Sequence, residues 1–233
     1  MNILTWDLSK KVKAAVVIAL IFHAVGWAGI VWIDQAGFVA MTPMNLLLSL
    51  ALIFWTQKER DSAFFVFFLA AFQTGFFTEY LGVNHQLLFG HYRYEQALGF
   101  SYFGVPLMIG VNWFMIVYCS AAAAQMILKF TGISAHQSTS AALRFAEEIL
   151  FIVTGALITM CFDWIMEPTA IQLGYWTWLS DAGIPVKNYR DWFLVSAFLL
   201  WLFRRLRVQA QNQCAIFLLL IQTLFFILLR FIL

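Results

Sequence analysis

Seven stretches of about 20 mostly apolar residues limit the fold of this chain more than any other feature of its sequence. They lie at 14–33, 38–56, 62–81, 104–128, 145–165, 186–203 and 213–232. Such stretches cross a bilayer as helices, because hydrocarbon offers no partner for an open backbone. Only 11% of the residues are charged, whereas soluble domains have roughly 25%. The sequence therefore predicts one all-α integral membrane domain over residues 1–233, with about seven transmembrane helices.

The basic residues predict how the chain is oriented in the membrane. With a cytoplasmic N-terminus, ten basic residues fall on the cytoplasmic side and four, Arg93, Lys187, Arg190 and Arg230, on the other. Because lysine and arginine are enriched in cytoplasmic loops, we predict that the N-terminus is cytoplasmic and the C-terminus extracytoplasmic. The connections 82–103 and 166–185, both rich in Gly, Tyr and Trp, then lie on the extracytoplasmic side.

Three acidic residues end apolar runs on that same side. Asp163 and Glu167 stand four residues apart, so a helix places them on one face, one turn from each other. Glu79 ends the third apolar stretch in the same way. Ionisable groups at membrane depth are costly and often mark a functional site. The alternative is that these acids lie at the headgroup level, where they cap helices or pair with Arg93 or Arg190.

Polar side chains near the acids are candidates for a shared site. His85 and His91 could carry protons or bind a metal, although an interfacial hydrogen bond is the commoner fate of such a histidine. Asn112, beside Trp113, could bond a neighbouring helix or position a water near the acids. Arg190 and Asp191 could serve as charge partners of Asp163 and Glu167.

Several function classes are excluded by what the sequence lacks. It has no glycine-rich phosphate loop, no GxSxG motif and no HExxH motif. The net charge of +2 without a basic aromatic stripe excludes nucleic acid as a partner, and the three cysteines fit buried apolar positions rather than a metal site. Aromatic residues make up 18% of the chain. They could face lipid, or they could line a pocket for a long apolar ligand.

An ordered series of short motifs resembles the carotenoid biosynthesis membrane proteins, over about residues 40 to 200. Within it, His85 and Gln86 stand where the family usually has small residues such as Thr-Gly. The motifs are Glu79 to Gly90, Tyr92 to Tyr94, Gly104-Val105-Pro106, Asn112-Trp113, Phe162-Asp163, Glu167-Pro168, Gly174 to Trp178, Asn188-Tyr189 and Trp192.

The resemblance implies a carotenoid 1,2-hydratase or bisanhydrobacterioruberin hydratase type of reaction, a hydro-lyase activity on the terminal C1=C2 double bond of an acyclic carotenoid end group. A neutral, dry carboxylic acid protonates the alkene, aromatic faces stabilise the tertiary cation, and a positioned water attacks. No cofactor and no metal are expected. We expect Asp163 to be the acid and Glu79 or Glu167 to hold the water. Expected substrate-binding residues are Asn84, His85, His91, Tyr94, Asn112, Trp113, Trp164, Trp176, Asn188 and Asp191.

Two other functions stay open from the sequence. A lycopene cyclase-like enzyme would protonate the same alkene but close a ring, and a transporter could use the same buried acids. The expected partners are a carotenoid, water and the lipid bilayer of a bacterial or archaeal plasma membrane. Other enzymes of the carotenoid pathway could associate with the protein.

Overall fold

The computed structural model describes residues 8–132, 140–180, 183–209 and 211–233. Within these ranges the chain forms eight α-helices and four short strands. The all-α class predicted from the sequence is confirmed. The helices are α1 Lys10–Trp32, α2 Gln35–Ala40, α3 Thr42–Thr56, α4 Ser62–His85, α5 Leu107–Phe130, α6 Ala141–Gln172, α7 Val186–Arg205 and α8 Gln213–Arg230. The strands are β1 Tyr92–Tyr94, β2 Ser101–Tyr102, β3 Val105–Pro106 and β4 Trp176–Trp178.

Helix α5 lies at the centre of the bundle, where it contacts α3, α4, α6, α7 and α8. In its most apolar segment 83% of the residues are buried, against 28–44% in the other long apolar helices. A helix that is apolar on all sides fits such a position. Its stretch from Ser120 to Ala124 consists of small residues, and small side chains let neighbouring helices approach closely.

In the part of the chain that the structure describes, five helices are long and apolar enough to cross a membrane, namely α1, α4, α5, α6 and α8. The predicted span 38–56 is instead divided at Met41 into α2 and α3, and Pro43 stands in the first turn of α3, where a missing N–H is tolerated. Helix α3 has 15 residues, and α7 bears charged residues at both ends. The number of seven spans therefore stays a prediction.

Two helices run further than the sequence predicted. Helix α6 continues to Gln172 through Pro168, although proline removes one backbone hydrogen bond. Asp163 and Glu167 therefore both lie within a helix. Helix α4 continues to His85, and Gln86 caps it in the left-handed conformation with φ +57°. That conformation is easiest for glycine, so a glutamine at this position is unusual.

The two long connections meet in one antiparallel pair of strands. Strand β1, from the connection after α4, pairs with β4, from the connection after α6, so that Tyr92 lies opposite Trp178 and Tyr94 opposite Trp176. We call this pair the aromatic ribbon. It covers the end of the bundle at which Glu79, Asp163 and Glu167 lie. At the opposite end, Arg204 pairs with Glu147 and Arg205 with Glu148, at 3.6 Å and 3.2 Å.

The predicted orientation can be tested with reporter fusions. A reporter enzyme that is active only outside the cytoplasm should be active when fused after Leu233 and inactive when fused after Lys58, which lies in the connection between α3 and α4. The positive-inside bias is the physical reason. The opposite pair of activities would show that the acidic end of the bundle faces the cytoplasm.

Candidate functional site

The structure brings Glu79, Asp163 and Glu167 together around one small cavity. Their side chains come from α4 and α6 and are almost fully buried, with 4%, 0% and 2% of the residue surface exposed. The cavity measures about 30 Å³, which is enough for one water molecule (at least ~10–15 Å³ by the same measure). We call it the acid pocket. Its lining residues are Glu79, Phe89, Tyr92, Tyr94, Ile109, Asn112, Trp113, Asp163, Met166, Glu167, Trp176, Trp178, Asn188 and Trp192.

The aromatic ribbon presents four hydrogen-bond donors to this pocket. Successive side chains of a strand point to opposite faces, so Tyr92 and Tyr94 share one face, as do Trp176 and Trp178. The antiparallel register places the two pairs directly opposite each other. The ribbon thus delivers two phenol O–H groups and two indole N–H groups to one side of the bundle.

The carboxyl group of Glu79 accepts three hydrogen bonds from aromatic side chains. Both Tyr92 and Tyr94 donate from their hydroxyl groups to Oε2, the latter at 2.8 Å. Trp113, on α5, donates from Nε1 to Oε1 at 3.0 Å. A carboxyl group that accepts on both oxygens from three neutral donors is fixed in orientation and suited to carry negative charge.

Glu167 accepts two hydrogen bonds on a single oxygen. The indole N–H groups of Trp176 and Trp178 both donate to Oε1, at 2.8 Å and 2.6 Å. Within the described part of the chain, Oε2 of Glu167 has no such donor. The second oxygen is therefore available to a molecule in the pocket.

Asp163 has the fewest hydrogen bonds of the three acids. Asn188, on α7, donates from Nδ2 to Oδ2 at 2.8 Å. The other oxygen, Oδ1, is buried and has no hydrogen-bond partner among the described residues. Buried polar atoms in folded proteins are nearly always paired, so a partner for Oδ1 is to be sought in the ligand or in water.

No cationic side chain within the described ranges forms a salt bridge with these three acids. Arg93 pairs with Glu95 on the outer side of the ribbon, at 3.1 Å, and hydrogen bonds from Thr177 and Arg93 lower the pKa of Glu95. Arg190, an expected charge partner of Asp163 and Glu167, instead pairs with its neighbour Asp191. The acid pocket is thus built from neutral donors alone.

The two ribbon tyrosines stay protonated over the physiological pH range. Burial, together with the adjacent Glu79 carboxyl group, raises the pKa of Tyr92 and the pKa of Tyr94 well above the ordinary value for tyrosine. Both hydroxyl groups therefore act as hydrogen-bond donors.

Three aromatic rings, those of Phe89, Trp113 and Trp192, form one wall of the acid pocket. Trp113 stacks on Trp192 with ring centroids 4.1 Å apart and an angle of 15° between the planes. Phe89 contacts both rings, at centroid distances of 6.1 Å and 6.4 Å. The faces of such rings attract a positive charge.

A much larger apolar cavity adjoins the acid pocket, with a volume of about 420 Å³. Four residues, Ile109, Asn112, Met166 and Trp176, line both spaces. Other residues of its lining, Phe22, Val25, Met41 and Met44, are exposed at the outer surface of the bundle. The apolar cavity therefore extends from residues that also line the acid pocket to the outer surface of the bundle.

The structure places some predicted binding residues in the acid pocket and others outside it. Tyr94, Asn112, Trp113, Trp176 and Asn188 line the pocket. The remaining predicted residues, which do not line it, are Asn84, His85, His91, Trp164 and Asp191.

Each of the outlying residues has other contacts. Asn84 donates to the Phe103 carbonyl at 2.9 Å, and the exposed His85 ring packs against Tyr80. His91 is exposed, and its carbonyl accepts from the Leu179 N–H at 2.8 Å. Trp164 is exposed under the Arg230 guanidinium. Asp191 is buried but accepts from the backbone N–H of Phe89 at 2.8 Å and from Lys187 at 2.6 Å.

Sequence reasoning did not select Phe89, Tyr92, Trp178 and Trp192 as site residues, although all four line the acid pocket. The alternation Tyr92-Arg93-Tyr94 and Trp176-Thr177-Trp178 was a usable signal, since a strand puts the outer two residues of each triplet on one face. Nothing in the sequence indicated that the two triplets pair.

Comparison with known proteins identifies a family for this chain. A family model described as "Carotenoid biosynthesis protein" matches residues 37–233. No curated protein and no solved structure matches the chain. Among the described residues, no group of three or more His, Cys, Asp or Glu side chains is arranged to hold a metal ion.

The ribbon donors should contribute measurably to stability. Tyr92→Phe removes one donor from the buried Glu79 carboxyl group, and we expect the free energy of unfolding to fall by about 1–3 kcal/mol. The matched control is Tyr102→Phe, because Tyr102 is exposed, and its effect should stay within about 0.5 kcal/mol. Denaturant unfolding of purified protein in detergent, followed by tryptophan fluorescence, measures both. Equal effects of the two substitutions would contradict this role of Tyr92.

Proposed function

The chain belongs to the carotenoid biosynthesis protein family, and on this basis we propose that it is a carotenoid hydratase. The proposed reaction adds water across the terminal C1=C2 double bond of an acyclic carotenoid end group. A role in carotenoid biosynthesis follows from the family itself. The choice of hydration is our inference from the site.

One observation carries the proposal, the contact between a water-sized acidic space and a larger apolar one. The acid pocket has room for one water molecule beside three carboxyl groups. The apolar cavity shares Ile109, Asn112, Met166 and Trp176 with it. A hydrocarbon end group and a water molecule can therefore occupy neighbouring spaces, as a hydration requires.

The apolar cavity fits the end of a carotenoid rather than the whole molecule. Its volume of about 420 Å³ lies at the lower end of the roughly 300–1,000 Å³ of ordinary small-molecule pockets. The rest of a long polyene would extend into lipid past Phe22, Val25, Met41 and Met44, which are exposed. A substrate that dissolves in the bilayer would thus reach the site without crossing water.

Asp163 is the proposed acid. It is fully buried, it accepts only one hydrogen bond, and its Oδ1 has no protein partner among the described residues. A carboxyl group with few donors around it is better suited to hold a proton than one with three. In the proposed first step, the proton of Asp163 moves to the less substituted alkene carbon. The π bond breaks, a C–H bond forms, and a tertiary cation results.

Water captures the cation in the second step. The water oxygen forms a C–O bond to the tertiary carbon while a proton passes from the water to Oε2 of Glu167. Because Glu167 lies one helical turn from Asp163, the proton can return to Asp163 and reset the site. Glu79, which accepts three hydrogen bonds, stays a fixed acceptor. The ring of Trp176, which lines both spaces, stabilises the cation by about 0.5–2 kcal/mol where its face meets the charge.

Pigment analysis tests the proposed reaction. Expression in a bacterial host that accumulates an acyclic carotene should give a product that is heavier by one water for each reacted end. Its absorption spectrum should not change, because the attacked bond lies outside the conjugated polyene. A product of unchanged mass with a new ring would indicate a cyclase. Unaltered pigment in the presence of folded membrane protein would contradict action on carotenoids.

Asp163→Asn should lower the hydration rate by about 10²–10⁴-fold, the usual contribution of a general acid. The amide retains the size of the side chain and can still accept from Asn188, so the fold should be preserved. Trp164→Phe is the matched control on the same helix, because Trp164 is exposed outside the pocket, and it should retain activity. Product yield per amount of folded protein measures both. An active Asp163→Asn variant would remove Asp163 from the role of acid.

A further inference from the structure

A wide polar cavity lies at the end of the bundle opposite the acid pocket, with a volume of about 870 Å³. It is formed by the end of α5, the start of α6, the end of α7 and the connection that leads from α7 to α8. None of its lining residues lines the acid pocket or the apolar cavity. We call it the basic cavity. By the predicted orientation it faces the cytoplasm.

The charged part of the lining is mostly basic, whereas the buried part is apolar. Leu128, Phe151 and Val208 are buried in its wall. The two acidic residues that line it are Glu147 and Glu148. The five basic residues that line it are Lys129, Arg144, Arg204, Arg205 and Arg207. The lining thus has a surplus of three positive charges, and a concave surface with such a surplus attracts anions.

Both acidic residues of the cavity already have arginine partners. Arg204 pairs with Glu147 at 3.6 Å, and Arg205 pairs with Glu148 at 3.2 Å. Within the described ranges, no acidic side chain forms a salt bridge with Lys129 or with Arg207. These two residues come from different elements, the last turn of α5 and the connection after α7. Their charges are therefore available to an anion that enters between them.

The backbone at Arg207 favours a different residue type. Arg207 follows the C-cap of α7 in the left-handed conformation, with φ +58°. The Val208 N–H donates back to the Phe203 carbonyl at 3.2 Å and closes the turn. Glycine is the usual residue at this position after a helix, because a Cβ atom makes the conformation strained. Binding of an anion by the guanidinium group would offset this strain.

An exposed apolar stripe on α6 begins beside the basic cavity. Phe145, Ile149 and Val153 follow one another at intervals of four residues, so they lie on one face of the helix. Their exposed fractions are 66%, 45% and 37%. Arg144 and Glu148, which line the cavity, are their neighbours in the chain. A charged recess and an apolar surface are thus continuous at this end of the bundle.

We propose that the basic cavity binds the headgroup of an anionic phospholipid whose acyl chains lie along the α6 stripe. Arginine and lysine are the side chains that bind phosphate groups best, and basic pockets between transmembrane helices on the cytoplasmic side bind anionic headgroups. A free phosphate would use the cavity alone, whereas a phospholipid uses the cavity and the stripe. The proposal does not depend on the reaction at the acid pocket.

Lipid titration of the purified full-length protein in a zwitterionic detergent tests the proposal. Phosphatidylglycerol and phosphatidylcholine with identical acyl chains are added separately, and the rise of the thermal unfolding midpoint with lipid concentration gives a dissociation constant for each. Phosphatidylglycerol should bind at least about tenfold more tightly, because only its headgroup has a net negative charge. Inorganic phosphate at the same concentrations should raise the midpoint much less.

Substitutions of the two residues without salt bridges locate the headgroup. Lys129→Gln and Arg207→Gln should each weaken phosphatidylglycerol binding by about fivefold, the usual contribution of one basic residue near an anionic membrane surface. The double variant should bring the affinities for the two lipids close together. Lys13→Gln is the matched control, because Lys13 is an exposed residue of α1 outside the cavity, and it should keep the preference.

Arg207→Gly separates lipid binding from folding. Glycine adopts the left-handed conformation without strain, so the midpoint without lipid should equal or exceed that of the unaltered protein while the preference for phosphatidylglycerol falls. Equal affinities for the two lipids, or a preference that Lys129→Gln and Arg207→Gly both retain, would overturn the proposal. An equal rise of the midpoint with inorganic phosphate would also overturn it, because the site would then bind a soluble anion rather than a lipid.

Discussion

The structure depends on satisfying three buried carboxyl groups without a buried cation. Burying such groups in a helix bundle is unfavourable unless hydrogen bonds replace those of water. Here neutral O–H and N–H groups of tyrosine, tryptophan and asparagine provide them. Neutral donors leave the acids free to exchange protons, whereas a salt bridge would hold a carboxylate in its charged form. The aromatic ribbon therefore does two things: it covers the acid pocket, and it supplies most of the hydrogen bonds that make the burial of Glu79 and Glu167 possible.

The position of the ribbon depends in turn on a charged clamp just outside the acid pocket. Asp191 accepts from the Phe89 N–H and from Lys187, and Lys187 also donates to the Leu87 carbonyl at 2.8 Å. These contacts join the start of α7 to the segment that leads into β1. Gly90 lies in the same segment with φ +150°, and a side chain there would meet Trp178 and Pro185 within 2.8 Å. Asp191 and Lys187 thus fix the backbone of residues 87–89 outside the acid pocket. No cation is needed within the pocket itself.

Two adjoining spaces of opposite polarity give the site its chemical character. The acid pocket is too small for more than water, and the apolar cavity is too large and too apolar to be filled by water at low cost. Between them stand Asn112, Met166, Ile109 and Trp176, which touch both. In the proposed hydration, the end group occupies the larger space and the water molecule the smaller one.

The sequence by itself determined the membrane-embedded all-α class, because apolar stretches of bilayer length allow no other arrangement. It also singled out Glu79, Asp163 and Glu167, because acids at the ends of such stretches are conspicuous. Tertiary structure alone decided which side chains surround them. The pairing of β1 with β4 joins residues more than 80 positions apart, and no local pattern encodes such a pairing. For the same reason His85, His91 and Trp164 fell outside the pocket, while Tyr92, Trp178 and Trp192 fell within it. Helix propensity, apolarity and spacing are local properties, whereas the partners of a buried carboxyl group depend on how distant elements pack.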